Sequence, residues 1–308
     1  MIDNFTSSRD VQKLLDRLSG QDQPRGDARL KAIVRRIVGD LFKAIDEFDI
    51  SDDEFWAALN YAAAGSGEFG LWAAGLGIEH FLDLRADAID AAKGVTGGTP
   101  RTIEGPLYVA GAPEAQGFAR LDDGSEDGKG EVLIMHGQVR DADGTPLPGA
   151  KVEVWHANTL GNYSYFDKTQ SDFNLRRTIF ADGEGRYGFR SIMPVGYACP
   201  PNGSTEGILK AIGRHGNRPA HIHFFISADG HRHLTTQINI DGDPYLHDDF
   251  AYATRDELIP PLHHVEHSEL GAKHGVEGPC AEIEFDFVLL PAANNAEEDA
   301  STRYRPVA

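Results

Sequence analysis

From Leu30 onward, apolar residues recur at Leu30, Ile33, Val34, Ile37, Val38, Leu41, Phe42 and Ile45, the three-and-four spacing that lines one face of an α-helix. This spacing predicts an amphipathic helix over 28–48. SDDEFWAAL, residues 51–59, announces a second helix: Ser51 and Glu54 can form the reciprocal cap that satisfies two orphan amides of a first turn. Further helices are expected over 6–18 and 79–93. The glycines and proline of KGVTGGTPRT, residues 93–102, end the helical pattern.

Beyond that point the period becomes two. EVLIMHGQVR (131–140), AKVEVW (150–155), GRYGFR (185–190), AHIHFFIS (220–227), LTTQINI (234–240) and AEIEFDFVLL (281–290) each read as a strand, separated by turn clusters such as DADGTPLPG, ADGEG and ADGHR. The spacing is that of an antiparallel sandwich. The expected fold is therefore mainly β. An antiparallel β-sandwich domain, 105–290, would follow an α-helical N-terminal domain, 1–104, and precede a tail, 291–308, that has little to bury.

One strand breaks its own pattern. In RPAHIHFF, residues 218–225, a period of two puts His221 and His223 on one face with Phe225, and Ile222 and Phe224 on the other. Two imidazoles so placed form a metal-ligand pair or are two unrelated polar residues on an exposed face. The rival pair, His231 and His233, follows the turn signal Asp229-Gly230 and reads as loop histidines. Tyr163 and Tyr197 lie in glycine- or proline-flanked loops after strands, where ligands usually sit; taken alone, each reads as well as a half-buried packing residue.

Composition narrows the partner. With 308 residues, 41% apolar and 25% charged, the chain can bury a full core. Its net charge of −19 argues against nucleic acid or an anionic membrane surface. Cys199 and Cys280 are too few for a disulfide framework, and MIDNFTSSRD lacks the layout of a signal peptide. The expected location is cytoplasmic. The longest uncharged apolar stretch, FGLWAAGLGI at 69–78, is about half of what a bilayer span needs.

WHANTLGNYSYFD, GRYGFRSIMPVGY and above all GRHGNRPAHIHFFISADGHRHLTTQIN resemble the intradiol ring-cleaving dioxygenases, as do AGLGIEHFLDLRADA and GGTPRTIEGPLYVAGAP toward the N-terminus. The resemblance implies a non-haem Fe(III) ion, one per subunit, held by Tyr163, Tyr197, His221 and His223. Spacing leaves Tyr163 and Tyr165 both open; the family pattern A-N-x-x-G-x-Y selects Tyr163. The implied reaction opens catechol with O2 between its two hydroxylated carbons to give cis,cis-muconate, without haem, flavin or nicotinamide. Tyr197 would be both ligand and base. By the same resemblance Arg218, otherwise readable as a surface residue, stabilises negative charge on the ring, with Gln237 assisting. A three-residue turn at 229–231 would set Gln237 directly across from His223. Leu71, Ile103, Pro106, Leu107, Phe250 and Ala251 match the family's substrate pocket, and each could equally be ordinary core. The helix over 28–48 would leave an apolar stripe unburied, which suggests a subunit interface; family members are homodimers joined through N-terminal helices, with a bound phospholipid in several.

The donor set is chemically intelligible. Deprotonating a tyrosine of ordinary pKa at neutral pH costs about 4 kcal/mol, which only a strong Lewis acid offsets. Phenolates are hard donors that favour ferric iron, whereas structural zinc takes thiolates and imidazoles. Two alternatives remain: a preference for hydroxyquinol or chlorocatechol, which a few kcal/mol in pocket contacts would decide, or a non-catalytic sandwich module with a structural zinc.

Overall fold

The computed structural model describes residues 5–292. These fall into two compact units that divide between Ser66 and Gly67.

The first unit is helical. A short 3-10 turn, Phe5–Ser7, leads into α1, Arg9–Leu18, capped by the Ser8 side chain. The long α2, Ala28–Glu47, is capped by Asp27, and α3, Asp52–Ala64, carries the reciprocal Ser51–Glu54 cap expected of it. Leu15 of α1 is buried near Gly39 of α2, and Arg35 ties the two helices through Asp16 and Gln12. No residue of α2 is buried; Leu30, Ile37 and Leu41 of its stripe are 58, 63 and 46% exposed.

The second unit opens with α4, Phe69–Gly75, and α5, Ile78–Ala92, then turns to strands: β1 Glu114–Gln116, β2 Phe118–Arg120, β3 Val132–Asp141, β4 Lys151–His156, β5 Arg176–Phe180, β6 Arg186–Ile192 and β7 Tyr197–Ala198. After α6, Ser204–Ala211, come β8 Asn217–Arg218, β9 His221–Ser227, β10 Leu234–Asn239, β11 His263–Val265, α7 Glu269–Lys273, β12 Cys280–Glu284 and β13 Phe287–Leu289. Two mixed sheets form a sandwich-like body, ordered β1-β5-β4-β9-β10 and β11-β12-β3-β6-β2, with β13 alongside β3; β7 and β8 make a separate two-stranded ribbon. The pairs β3·β6, β4·β5, β4·β9, β9·β10 and β11·β12 are antiparallel, while β1·β5, β2·β6, β12·β3 and β13·β3 are parallel. Parallel pairing needs a long connection, and the excursions between those strands supply it.

The core lies between the sheets. Val152, Val154, Ile222, Phe224, Ile226 and Ile238 from one meet Leu133, Met135, Phe189, Ile283 and Phe287 from the other. Phe224 touches Phe189 and Phe287 at ring separations of 6.3 and 5.0 Å. The expected strand 281–290 is broken at Phe285-Asp286, where the backbone crosses Gly137 of β3. A side chain on Gly137 would lie 1.8 Å from the Phe285 carbonyl oxygen, so only glycine admits this crossing. Of the expected tail, residues from 293 onward lie outside the described residues. No helix among the described residues is long and apolar enough to cross a membrane.

Candidate metal centre and active site

β9 sits between β4 and β10, so the histidine face of β9 is bordered on both sides. The register pairs His223 with Trp155 and with Gln237, and His221 with Asn239. Both histidines are 1% exposed, and the Trp155 indole stacks on the His223 ring at 4.9 Å and 6°. The expected register across the hairpin is the observed one.

Two loops bring the tyrosines to this face. Tyr163, 5% exposed, points its hydroxyl at His221 Nε2, 3.4 Å away. Tyr165 has φ of +72° and turns away to Phe166 and Lys168. Tyr197 lies on β7 directly opposite Arg218 on β8, with its hydroxyl 3.5 Å from the same His221 Nε2. The two tyrosine rings meet edge to face at 5.4 Å. Gly161 permits the approach: it has φ of +78°, and a Cβ there would lie 2.9 Å from that of Tyr197.

His221 Nδ1 is 2.7 Å from the Pro219 carbonyl, which can only accept, so the ring proton sits there and the Nε2 lone pair faces inward. Onto that lone pair converge two phenol hydroxyls, the Arg218 Nη1 donor at 2.9 Å and His223 Nε2 at 3.0 Å. No placement of protons satisfies them all. A cation among the two phenolic oxygens and two imidazole nitrogens would, and their spacing resembles the roughly 3 Å between neighbouring donors of one small ion. The residues therefore fit a metal with hard oxygen and imidazole ligands. Among the described residues no group of three or more His, Cys, Asp or Glu could hold an ion, so such a site depends on the tyrosines.

The electrostatics favour neutral imidazoles. Burial, reinforced by Arg218, pushes His221 down to about 3 and takes His223 well below its ordinary value. Burial and the neighbouring Tyr197 hold the Tyr163 phenol well above its ordinary range. Two cations flank the site. Arg218 is buried against Asp249 and Gln237, with Nη2 3.0 Å from Asp249 Oδ2 and 2.8 Å from Gln237 Oε1. Arg176, 1% exposed and 5.8 Å from the Tyr163 ring, spends its hydrogen bonds on neutral acceptors: Ser164 Oγ, the Ser164 carbonyl and the Leu107 carbonyl.

Above the four donors opens a cavity of about 380 Å³. Leu71, Ile103, Pro106, Leu107, Phe250, Ala251, Arg218, Tyr163, Tyr197 and His223 all line it; His221 and Gln237 lie behind. His231 and His233 are in the hairpin turn, away from this lining.

Comparison with known proteins identifies the family. A family model described as Dioxygenase matches residues 103–291, and one described as Catechol dioxygenase N terminus matches 27–94. Catechol 1,2-dioxygenase of Pseudomonas sp. (strain EST1001) is 53% identical, covering 96% of this chain and 97% of its own. The chain belongs to the intradiol ring-cleavage dioxygenase family. Catechol 1,2-dioxygenase 2 of Acinetobacter lwoffii is 61% identical over 83% of this chain and 93% of its own. The solved catechol 1,2-dioxygenase of Acinetobacter sp. ADP1, inhibited by bound mercury, superposes with a TM-score of 0.94 at 52% identity over 99% of each chain.

Several residues around this cavity have no signal in the sequence. Ala74 and Cys199 line the cavity from segments that read as ordinary helix and loop. Arg176 begins β5, whose RRTIF opens on two charges and so shows no strand pattern. Asp249 sits in a coil among many acidic residues, and only its contact with Arg218 distinguishes it.

Proposed function

We propose that this protein cleaves catechol with O2 to cis,cis-muconate at one ferric ion per chain, held by Tyr163, Tyr197, His221 and His223. The observation that carries the reading is the convergence of these two phenols and two imidazoles at the base of an apolar cavity. The substrate follows from the relatives reported above, which are named for catechol.

When bound, the ferric ion supplies the Lewis acidity that keeps two phenolates ionised and draws electron density from the chelated ring. The protein's own groups do the rest. Ile103, Pro106, Leu107 and Phe250 line the cavity and would hold the ring against apolar surface. Tyr197 Oη, ionised while the ion is bound, would accept a catechol hydroxyl proton as general base, a role suited to a half-buried side chain on the short strand β7. Arg218 Nη1 offers a fixed, always-charged donor to negative charge gathering on the ring. Gln237 holds the other edge of that guanidinium. Both atoms of O2 enter the product, so the reaction consumes no external reductant. The enzyme acts in the cytoplasm. The unburied stripe of α2 supports a homodimer formed through the helices of the N-terminal segment, 1–104.

The test is metal content, visible spectrum and product together. About one iron per chain, a red tyrosinate charge-transfer band, and cis,cis-muconate formed without added reductant are expected. A colourless zinc protein overturns the metal assignment, and a yellow ring-opened semialdehyde overturns the position of cleavage. Light scattering on the purified protein reads the dimer.

A further inference from the structure

The side chain that fixes Arg218 is itself unassigned. Asp249 is 6% exposed and Arg218 is 4% exposed. The guanidinium has five N–H donors in a rigid fork. Nε donates to Asp249 Oδ1 at 3.1 Å, and Nη2 donates to Asp249 Oδ2 at 3.0 Å and to Gln237 Oε1 at 2.8 Å. The Gln237 amide is turned that way because its Nε2 donates to Asn239 Oδ1 at 3.0 Å. With those edges occupied, Nη1 is the edge left toward His221 and the cavity that Arg218 lines.

The same carboxylate does a second thing. Asp249 Oδ1 accepts from the Ala251 amide at 3.0 Å and Oδ2 from the Ala253 amide at 3.3 Å, which folds the segment carrying Phe250 and Ala251 against the cavity. The Phe250 amide donates to the Asn217 carbonyl, one residue before Arg218. The apolar wall and the cationic donor are thus registered to one side chain. We infer that Asp249 is the positioning residue that aims Arg218 Nη1 at the substrate and sets the 250–253 wall; this rests on the function proposed above.

Asp249→Asn keeps the shape and replaces one acceptor oxygen with a donor facing a donor. Arg218 then stays charged but loses its anchor, and a small misplacement of such a group costs ~10²-fold in rate. The experiment compares wild type, Asp249→Asn, Arg218→Met and the double variant in kcat, in catechol KM, in anaerobic catechol binding read from the visible band, and in urea unfolding of the iron-stripped protein. Asp249→Asn is expected to lose ~10²-fold in kcat with iron retained and catechol binding within about threefold. The double variant should match Arg218→Met in kcat, because on the chemical step Asp249 acts only through the arginine, the wall bearing on catechol binding, which is read separately. In urea, the iron-stripped double variant should outlast Asp249→Asn alone, since removing both members of a buried pair leaves no stranded charge. If Asp249→Asn does not fold, the double variant still decides. A double variant well below Arg218→Met in kcat, or an Asp249→Asn enzyme with wild-type kcat, overturns the inference. Wild-type protein that makes no muconate defeats the functional reading instead, so the two failures are separable.

Discussion

The two faces of β9 are equally buried and chemically opposite. Toward the sandwich core, β9 presents Ile222, Phe224 and Ile226, flanked by Val152, Val154 and Ile238. Toward the loops it presents His221, His223 and Phe225, flanked by Trp155, Arg176, Gln237 and Asn239. The first face gains by leaving water. The second can be buried only if its polar groups find partners, since each unpaired one costs about 1–3 kcal/mol. Loops from 103–107, 158–166 and 249–253 provide partners for Arg176 and Arg218, while His223 Nδ1, Trp155 Nε1 and Asn239 Nδ2 have none among the described residues, so the face that costs most to bury is the one these loops cover. The buried polar groups of the core face include His156, held between the Ala157 carbonyl and Ser191 Oγ at 2.7 Å each, and Thr236, whose Oγ1 donates to the Pro100 carbonyl at 2.8 Å.

Substitutions on the two faces should separate chemistry from stability. The largest effect belongs to the loop-covered face. Tyr197→Phe is expected to keep iron through the remaining donors and to lose ~10²–10⁴-fold in kcat, the usual worth of a general base. Stopped-flow absorbance distinguishes it from Tyr163→Phe, which should lose most remaining colour once catechol is bound. Wild-type turnover in Tyr197→Phe would remove Tyr197 from the base role.

On the core face, Phe224→Ala should cost about 3–5 kcal/mol of unfolding free energy in urea with the visible spectrum and catechol KM unchanged. A shifted spectrum would show that the two faces are mechanically coupled.

His156 supplies a pH probe on that same face. Burial pushes its folded pKa down to about 4, below the ~6.5 of an unfolded chain. The unfolded state therefore binds more protons between those values. The stability that neutral His156 contributes is complete above about pH 6.5 and is lost as pH falls toward 4. Between pH 7.5 and 5, wild type should lose about 2 kcal/mol more than His156→Gln, read from paired urea titrations. Parallel acid sensitivity in both proteins would place the acid-labile group elsewhere.

The smallest effect expected is that of Gln237→Ala. It leaves the Asp249 clamp on Arg218 intact and removes one of the hydrogen bonds holding Nη2, for ~10-fold in kcat. A loss as large as that of Arg218→Met would make Gln237, rather than Asp249, the main anchor.

Much of both faces was legible in the chain. Alternation at 220–227 and 234–240 located β9 and β10, but their register depended on turn length: a three-residue turn at 229–231 gives the observed pairing, and a two-residue turn would carry Gln237 to the wrong face. The helix caps at Ser51 and Glu54 were readable from residue type and spacing alone. Other parts were not. β1 and β2 are three residues long, too short for any period to show. β5 carries its buried Arg176 where a strand signal would need an apolar residue. The break between β12 and β13 falls inside an unbroken alternation and exists because Gly137 lets another backbone cross.

The sequence by itself determined which residue types could meet: the period of two puts both imidazoles on one face of β9, and the family pattern marks Tyr163 and Tyr197 for the same site. Only the tertiary structure decided what surrounds them. The pairing of β7 with β8 sets Tyr197 beside Arg218, and a carboxylate thirty-one residues further along the chain fixes the direction of that arginine. Periodicity is a property of neighbours within a strand, whereas the orientation of a buried charge depends on whichever distant group satisfies it, and no local pattern encodes that group.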